Sequence, residues 1–175
     1  MAWIKRGCLI KFWNADDIRN LKFEVPLDST VGFELLDTLD NSRYQHKMSA
    51  NLYRGLPNIL SNPILESSFS FLANKSYAVH KILPGYILPL HRDRYAFYKN
   101  QNHIVDINSI IRVIVFLEDK KPGHILEIEN TVVDSWVAGD WIAWRGSALH
   151  LAANIGNEDR YTLQITGTLN DSNYS

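Results

Sequence analysis

Between residues 77 and 169 the chain carries eight short segments rich in β-branched and aromatic residues, and this run constrains the fold more than any other feature. The segments are 77–83, 86–91, 110–117, 124–129, 131–137, 140–144, 149–154 and 161–169. Pro84-Gly85, Pro122-Gly123, Gly139-Asp140 and Gly156-Asn157 punctuate them. Proline presets φ and glycine tolerates the left-handed conformation, so such pairs reverse an extended chain. Many short strands with closely spaced turns predict a β-sandwich or barrel.

The residues able to do chemistry sit inside this run. His91-Arg92-Asp93 is a His-x-Asp pair. In an extended strand residues i and i+2 point to one face, so imidazole and carboxylate can converge. His150 then closes a facial triad. Two histidines and one carboxylate suit Fe(II) and leave positions open for a bidentate co-substrate and O2, which describes an oxygenase site. Arg160 follows His150 by ten residues, and Arg160 and Thr162 share one strand face. A planar guanidinium with a hydroxyl beside it suits the far carboxylate of a dicarboxylic acid.

In these residues the chain resembles the Fe(II)/2-oxoglutarate-dependent dioxygenases, whose motif is His-x-Asp/Glu, a distal His, and Arg-x-Ser/Thr about ten residues on. Leu83-Pro84-Gly85-Tyr86-Ile87-Leu88-Pro89-Leu90 is similar to the turn and strand leading into the first ligand of that superfamily, and Gly139-Asp140-Trp141-Ile142-Ala143-Trp144 to the strand before the distal one. The resemblance covers residues 77–169. It implies a double-stranded β-helix, a cupin-like jelly roll, with Fe(II) on His91, Asp93 and His150. It further implies 2-oxoglutarate as co-substrate on Arg160 and Thr162, and O2 as oxidant, with release of succinate and CO2. Segment 84–93 together with Arg112 looks most like the proline-hydroxylase and aspartyl/asparaginyl β-hydroxylase branches, so the implied substrate is an amino acid, free or within a protein. The vertebrate enzymes of the second branch lack the carboxylate ligand that Asp93 provides here. In that branch an arginine at a similar strand start contacts the co-substrate, which makes Arg112 a second carboxylate partner; a surface ion pair with Glu118 or Asp119 is its bland alternative.

Two other functions stay open at this point. A non-catalytic cupin-like binding protein accounts for the strands and a histidine or two, but gives no reason for Arg160-Tyr161-Thr162. An oxygenase acting on a nucleobase is the other. The stretch from Arg94 to Asn108 reads as a long loop of the kind that forms lids, and its Arg94, Tyr95 and Tyr98 are candidate substrate contacts. Trp144 is a candidate pocket wall, and Trp136 and Trp141 read as core. His46, His80, His103 and His124 read as ordinary histidines.

At 175 residues the chain fits one domain, with residues 1–76 supporting a 77–169 core. Acidic and basic residues nearly cancel, 19 against 18, so no global field argues for nucleic acid or an anionic membrane as partner. Cys8 is the only cysteine, which precludes an intrachain disulfide and fits a reducing compartment; it reads as a small buried hydrophobe. The N-terminal apolar run is broken at Lys5 and Arg6, too short for a leader or span, and the reading is a soluble cytoplasmic protein. Strands are expected over 9–13 and 22–27, with a helical turn at Asn14-Ala15-Asp16-Asp17. Helices are expected over 31–39, capped by Ser29 or Thr30, and from Asn62-Pro63 to about 72, both packing outside a sheet.

Overall fold

The computed structural model describes residues 3–23, 25–26 and 51–170. The expected helix over 31–39, the polar stretch around Arg43 to Lys47 and the tail beyond Asn170 lie outside the described residues. In chain order the elements are β1 (Ile4–Cys8), α1 (Ala15–Arg19), β2 (Val25–Pro26), β3 (Asn51–Arg54), α2 (Pro63–Ser68), β4 (Leu72–Ile82), β5 (Tyr86–His91), α3 (Ala96–Asn102), β6 (Ile110–Phe116), β7 (His124–Ile128), β8 (Thr131–Val132), β9 (Asp140–Arg145), β10 (His150–Asn154) and β11 (Arg160–Leu169). They form two antiparallel sheets, one of seven strands in the order β1-β9-β6-β11-β4-β3-β2 and one of four in the order β5-β10-β7-β8. This is a sandwich, as the strand run predicts, and the jelly roll that the resemblance implies. None of the described helices is long and apolar enough to cross a membrane.

Strand alternation sorts the side chains into two cores. From β6 and β11, Ile111, Val113, Val115, Tyr161, Leu163 and Ile165 face outward from the large sheet. Leu9, Trp13, Ile18, Leu60, Leu65 and Phe69 from the N-terminal region cover them. Each such buried side chain contributes about 1.5–3 kcal/mol. The opposite face meets the small sheet, where Ile82, Ile114, Phe116, Ile142 and Trp144 pack against Leu88, Leu126, Ile128 and Ala152.

The short helices form as the sequence dictates. Asn14 accepts hydrogen bonds from the Asp16 and Asp17 amides while Asp17 caps the Asn14 amide, closing a capping box. Asn62 caps α2, with Pro63 in its first turn. That helix stops at Ser68, short of the expected 72, because serines favour local hydrogen bonds over helix and β4 already begins at Leu72.

Three sequence expectations change. Residues 9–13 are not a strand: the sheet edge is β1, paired with β9, and the chain leaves it at Leu9 while Trp13 Nε1 donates to Leu117 O at 2.8 Å. The N-terminal region therefore contributes strands to the sheet as well as cover. The stretch 94–108 is not a bare loop, since it holds α3 and a 3-10 turn at Ile107–Ser109. Cys8 is exposed rather than buried, because it ends the edge strand.

Candidate metal centre and anion pocket

His91 ends β5 and His150 begins β10, and the two are direct cross-strand partners. A β-bulge makes them so. Between the pairs Leu88↔Ala152 and His91↔His150 the β5 side advances three residues and the β10 side two. The extra residue turns Leu90 outward, 38% exposed, and brings His91 to the interior face with 3% exposure. The imidazole centroids are 4.3 Å apart. Asp93 lies two residues beyond the end of β5, so the side-chain convergence expected from an extended strand is achieved past its end. Ligand atoms of His91, Asp93 and His150 all lie within 4.8 Å of one another.

Both rings are set to offer Nε2. His91 Nδ1 lies 2.6 Å from Pro89 O and His150 Nδ1 lies 3.1 Å from Ala148 O. A carbonyl accepts only, so each Nδ1 carries the proton and each Nε2 keeps its lone pair for a metal. His91 Nε2 is 3.6 Å from Asp93 Oδ1, and His150 Nε2 is 3.8 Å from Asp93 Oδ2. Burial pushes His150 down to about 4, which keeps it neutral at ordinary pH. Burial alone would raise Asp93, but the Arg112 guanidinium outweighs it and, with the two histidines, holds the carboxyl well below the usual range. Two imidazoles presenting Nε2 and one ionised carboxylate form a donor set that fits a divalent transition metal.

Arg112 does not pair with Glu118 or Asp119. Its Nη2 and Nε donate to Asp93 Oδ2 at 2.6 and 3.2 Å, and its Nη1 donates to Thr166 Oγ1 at 2.7 Å. The Tyr95 ring stacks on this guanidinium at 4.9 Å. Glu118 is held by Lys121 at 2.9 Å, and Asp119 accepts from the Ala138 amide.

Arg160 sits differently. It is 2% exposed, and its Nε and Nη2 have no hydrogen-bond partner among the described residues. Its guanidinium lies 5.6 Å from the Trp136 ring, which stacks on Phe116 at 4.2 Å. Trp136 is thus core, as expected, and also the wall beside the cation. Burial pulls Arg160 down to about 10, with Glu118 opposing only in part. Thr162, 2% exposed, is on the same face of β11.

That face is the polar feature the sequence hid. Arg160, Thr162, Gln164 and Thr166 alternate with Tyr161, Leu163 and Ile165, a pattern ordinarily read as solvent outside and core inside. Here the polar set faces the space between the sheets. His80 on β4 joins it, pairing with Thr162 across the strands and lying 2.6 Å, through Nδ1, from Gln164 Nε2. Burial, helped by the Arg112 charge, drives His80 down to about 3, so it is a neutral polar wall rather than a metal ligand. His80 and Gln164 are site residues that the sequence reading passed over. The available signal was the polar alternation of β11 next to Arg160.

The remaining candidates divide. Tyr95 is buried against Arg112. Tyr98 is buried too, but its hydroxyl donates to Asn74 O at 2.8 Å, which ties α3 to a bulge in β4. Arg94 is exposed. Trp144 is fully buried with its ring 5.2 Å from the His150 ring, so it backs the candidate metal centre. Trp141 packs on Phe69 and Phe71 in the outer core. His103 caps α3 in a left-handed conformation, and His124 is buried on β7, 3.2 Å from Glu158 O. A separate cleft of about 190 Å³, lined by Trp3, Glu129, Arg145, Ser147 and Ala148, includes none of the three ligands.

This two-sheet jelly roll, with His91, Asp93 and His150 gathered between its sheets, has the cupin fold. The chain is similar in structure to a prolyl-4-hydroxylase from Pseudomonas putida, at 14% identity and a TM-score of 0.53, over 97% of this chain and 94% of that one. A predicted oxalate decarboxylase from Thermotoga maritima matches at 18% identity and a TM-score of 0.43, over 70% of this chain and 84% of that one. A cupin protein from Bacteroides fragilis matches at 14% and 0.40, over 61% and 75%. At these identities the likeness is one of fold. No protein-family model matches the chain, and no curated protein is similar to it.

Proposed function

We propose that the chain is an Fe(II)- and 2-oxoglutarate-dependent oxygenase that hydroxylates an amino acid, free or within a protein, and releases succinate and CO2. One observation carries this reading: His91, Asp93 and His150 cluster in the space between the sheets, and on the facing sheet Arg160 is buried with its Nε and Nη2 lacking a partner among the described residues. An uncompensated buried cation is costly, and a carboxylate arriving from solution removes that cost. The metal cluster alone fits many cupins. The orphaned guanidinium adds a demand for an anionic ligand.

In this reading His91, Asp93 and His150 would hold the iron, and Arg160 with Thr162 would take the far carboxylate of the keto acid. When bound, iron with the keto acid and O2 supplies the oxidation, coupling loss of CO2 to insertion of one oxygen atom into a substrate C–H bond. The chain does the rest. Pro89 O and Ala148 O fix which nitrogen each histidine presents, Arg112 keeps Asp93 ionised, and Trp144 with the apolar residues between the sheets excludes water. The fold likeness to a prolyl-4-hydroxylase makes prolyl peptides and free proline the first substrates to try.

The test is anaerobic titration of Fe(II)-loaded protein with 2-oxoglutarate. A weak visible charge-transfer band from the iron–keto-acid chelate is expected. Its absence from properly loaded protein sinks the reading, as does succinate release that continues without O2.

A further inference from the structure

We propose that Arg112 is a positioning residue that fixes Asp93 as a one-oxygen metal ligand, and so keeps a coordination position of the metal open. This rests on the metal reading above. Both of the guanidinium's bonds to Asp93 converge on one oxygen, Oδ2, at 2.6 and 3.2 Å, while Oδ1 lies 3.6 Å from His91 Nε2. Oδ2 also lies 3.8 Å from His150 Nε2 but is taken by the guanidinium, and Oδ1, which accepts nothing from Arg112, is the oxygen left for a metal between the rings.

The remaining contacts hold Arg112 in that pose. Thr166 takes the third nitrogen at 2.7 Å, and Thr166 and Arg112 are direct partners across β11 and β6, so the brace is built into the sheet register. Tyr95 covers the guanidinium from a left-handed backbone, φ 51° and ψ 27°. For an aromatic residue that conformation is strained, and it persists where surrounding structure enforces it. With all three nitrogens engaged inside the protein, Arg112 is not disposed to take a co-substrate carboxylate. Arg160, two of whose nitrogens lack a partner among the described residues, is. The two arginines divide the work, one on the ligand and one on the anion.

The chemical consequence follows from coordination number. A six-coordinate ion with three single-atom protein ligands keeps three positions, enough for a bidentate keto acid and O2. If Asp93 bound through both oxygens, one of those positions would be lost.

The test uses Mn(II)-loaded full-length protein carrying ¹³C-carboxylate aspartate. Infrared difference spectra between metal-bound and metal-free protein give the splitting of the Asp93 carboxylate bands, wide for one bound oxygen and narrow for two. Water-proton relaxation counts the waters on the ion. Wild type should show the wide splitting with three waters. Arg112→Gln should show the narrow splitting and lose one water. Arg112→Lys, which keeps charge but not the fork, should do the same, which separates geometry from electrostatics. Thr166→Val leaves Arg112 in place without its brace and should give a mixture of both patterns; it also carries the test should Arg112→Gln fail to fold. Metal affinity is not the readout, because removing a cation near a dication favours binding while losing the brace opposes it. A narrow splitting in wild type, or a wild-type pattern in both Arg112→Lys and Thr166→Val, overturns the inference. Failure of the wild type to bind any divalent ion overturns the metal reading instead, a distinguishable result.

Discussion

Arg160→Met should make the ligand-free protein more stable and the protein unable to hold its co-substrate. Met keeps the apolar stem of arginine but not its guanidinium, and so removes a charge that is 2% exposed with two nitrogens lacking a partner among the described residues. The downward displacement of Arg160 to about 10, from the ordinary guanidinium range, corresponds to about 3 kcal/mol of unfavourable charge burial. Loss of the Trp136 contact takes back about 1 kcal/mol, leaving a net gain of about 2 kcal/mol. For a domain of this size that is a rise of about 4–8 °C in Tm. The assay is thermal unfolding of the metal-loaded, anaerobic protein with and without 2-oxoglutarate. At a hundred times Kd the ligand should stabilise wild type by about 2.7 kcal/mol, and the variant by almost nothing. A variant that melts below wild type in the absence of ligand would show that the guanidinium is a structural element already compensated by the protein. A variant that still gains the full ligand shift would remove Arg160 from the anion site. Either result refutes the argument.

His150→Ala and Asp93→Asn should each abolish the iron–keto-acid band, measured by anaerobic absorption, because each removes one of only three donors. The metal-free protein should lose stability on acidification below pH 6.5: His150 and His80 are held down to about 4 and about 3, so the unfolded chain takes up protons first. At pH 4.5 this amounts to about 2.5 kcal/mol for each histidine, read by urea unfolding across pH; Asp93 stays ionised throughout that window and does not offset it. A flat profile between pH 6.5 and 4.5 contradicts the burial argument. His80→Leu should cost about 1–3 kcal/mol by stranding Gln164, and the double change with Gln164→Leu should recover part of that loss in a double-mutant cycle.

The strand run was legible because two-residue alternation and Pro-Gly turns are local signals, and β5, β7, β10 and β11 fall within a residue of the segments read from them. The N-terminal region was less legible. Leu9 and Trp13 look like strand residues and are buried, but they pack on the outer face of the sheet while the hydrogen-bonded edge is Ile4–Cys8, whose Lys5 and Arg6 point to an exposed edge rather than a core. Edge strands need no apolar alternation, so their pattern is weak. Helix α3 escaped because it starts from a left-handed Tyr95 with no side-chain cap, and lacks every start signal that marked α1 and α2.

The site shows what a pattern of residues can and cannot specify. His91, Asp93, His150 and Arg160 were readable as chemistry, yet their convergence depends on an insertion no motif records. Continuing the alternation of β5 from Leu88 would place Leu90 inside and His91 outside; the bulge opposite His150 reverses this. The bulge is tolerated because the bonds that set the rings, His91 Nδ1 to Pro89 O and His150 Nδ1 to Ala148 O, form within each strand end and do not need the ladder. Restoring regular register by deleting Leu90 leaves the strand sequence equally apolar, and binary pattern alone predicts an unaffected fold. With the ladder regular, alternation from Leu88 keeps His91 inside and opposite His150, so the deletion should retain divalent-metal binding, read by metal titration, while circular dichroism stays β-rich. Loss of the divalent site in that variant would mean that the bulge itself, not strand alternation, aims His91.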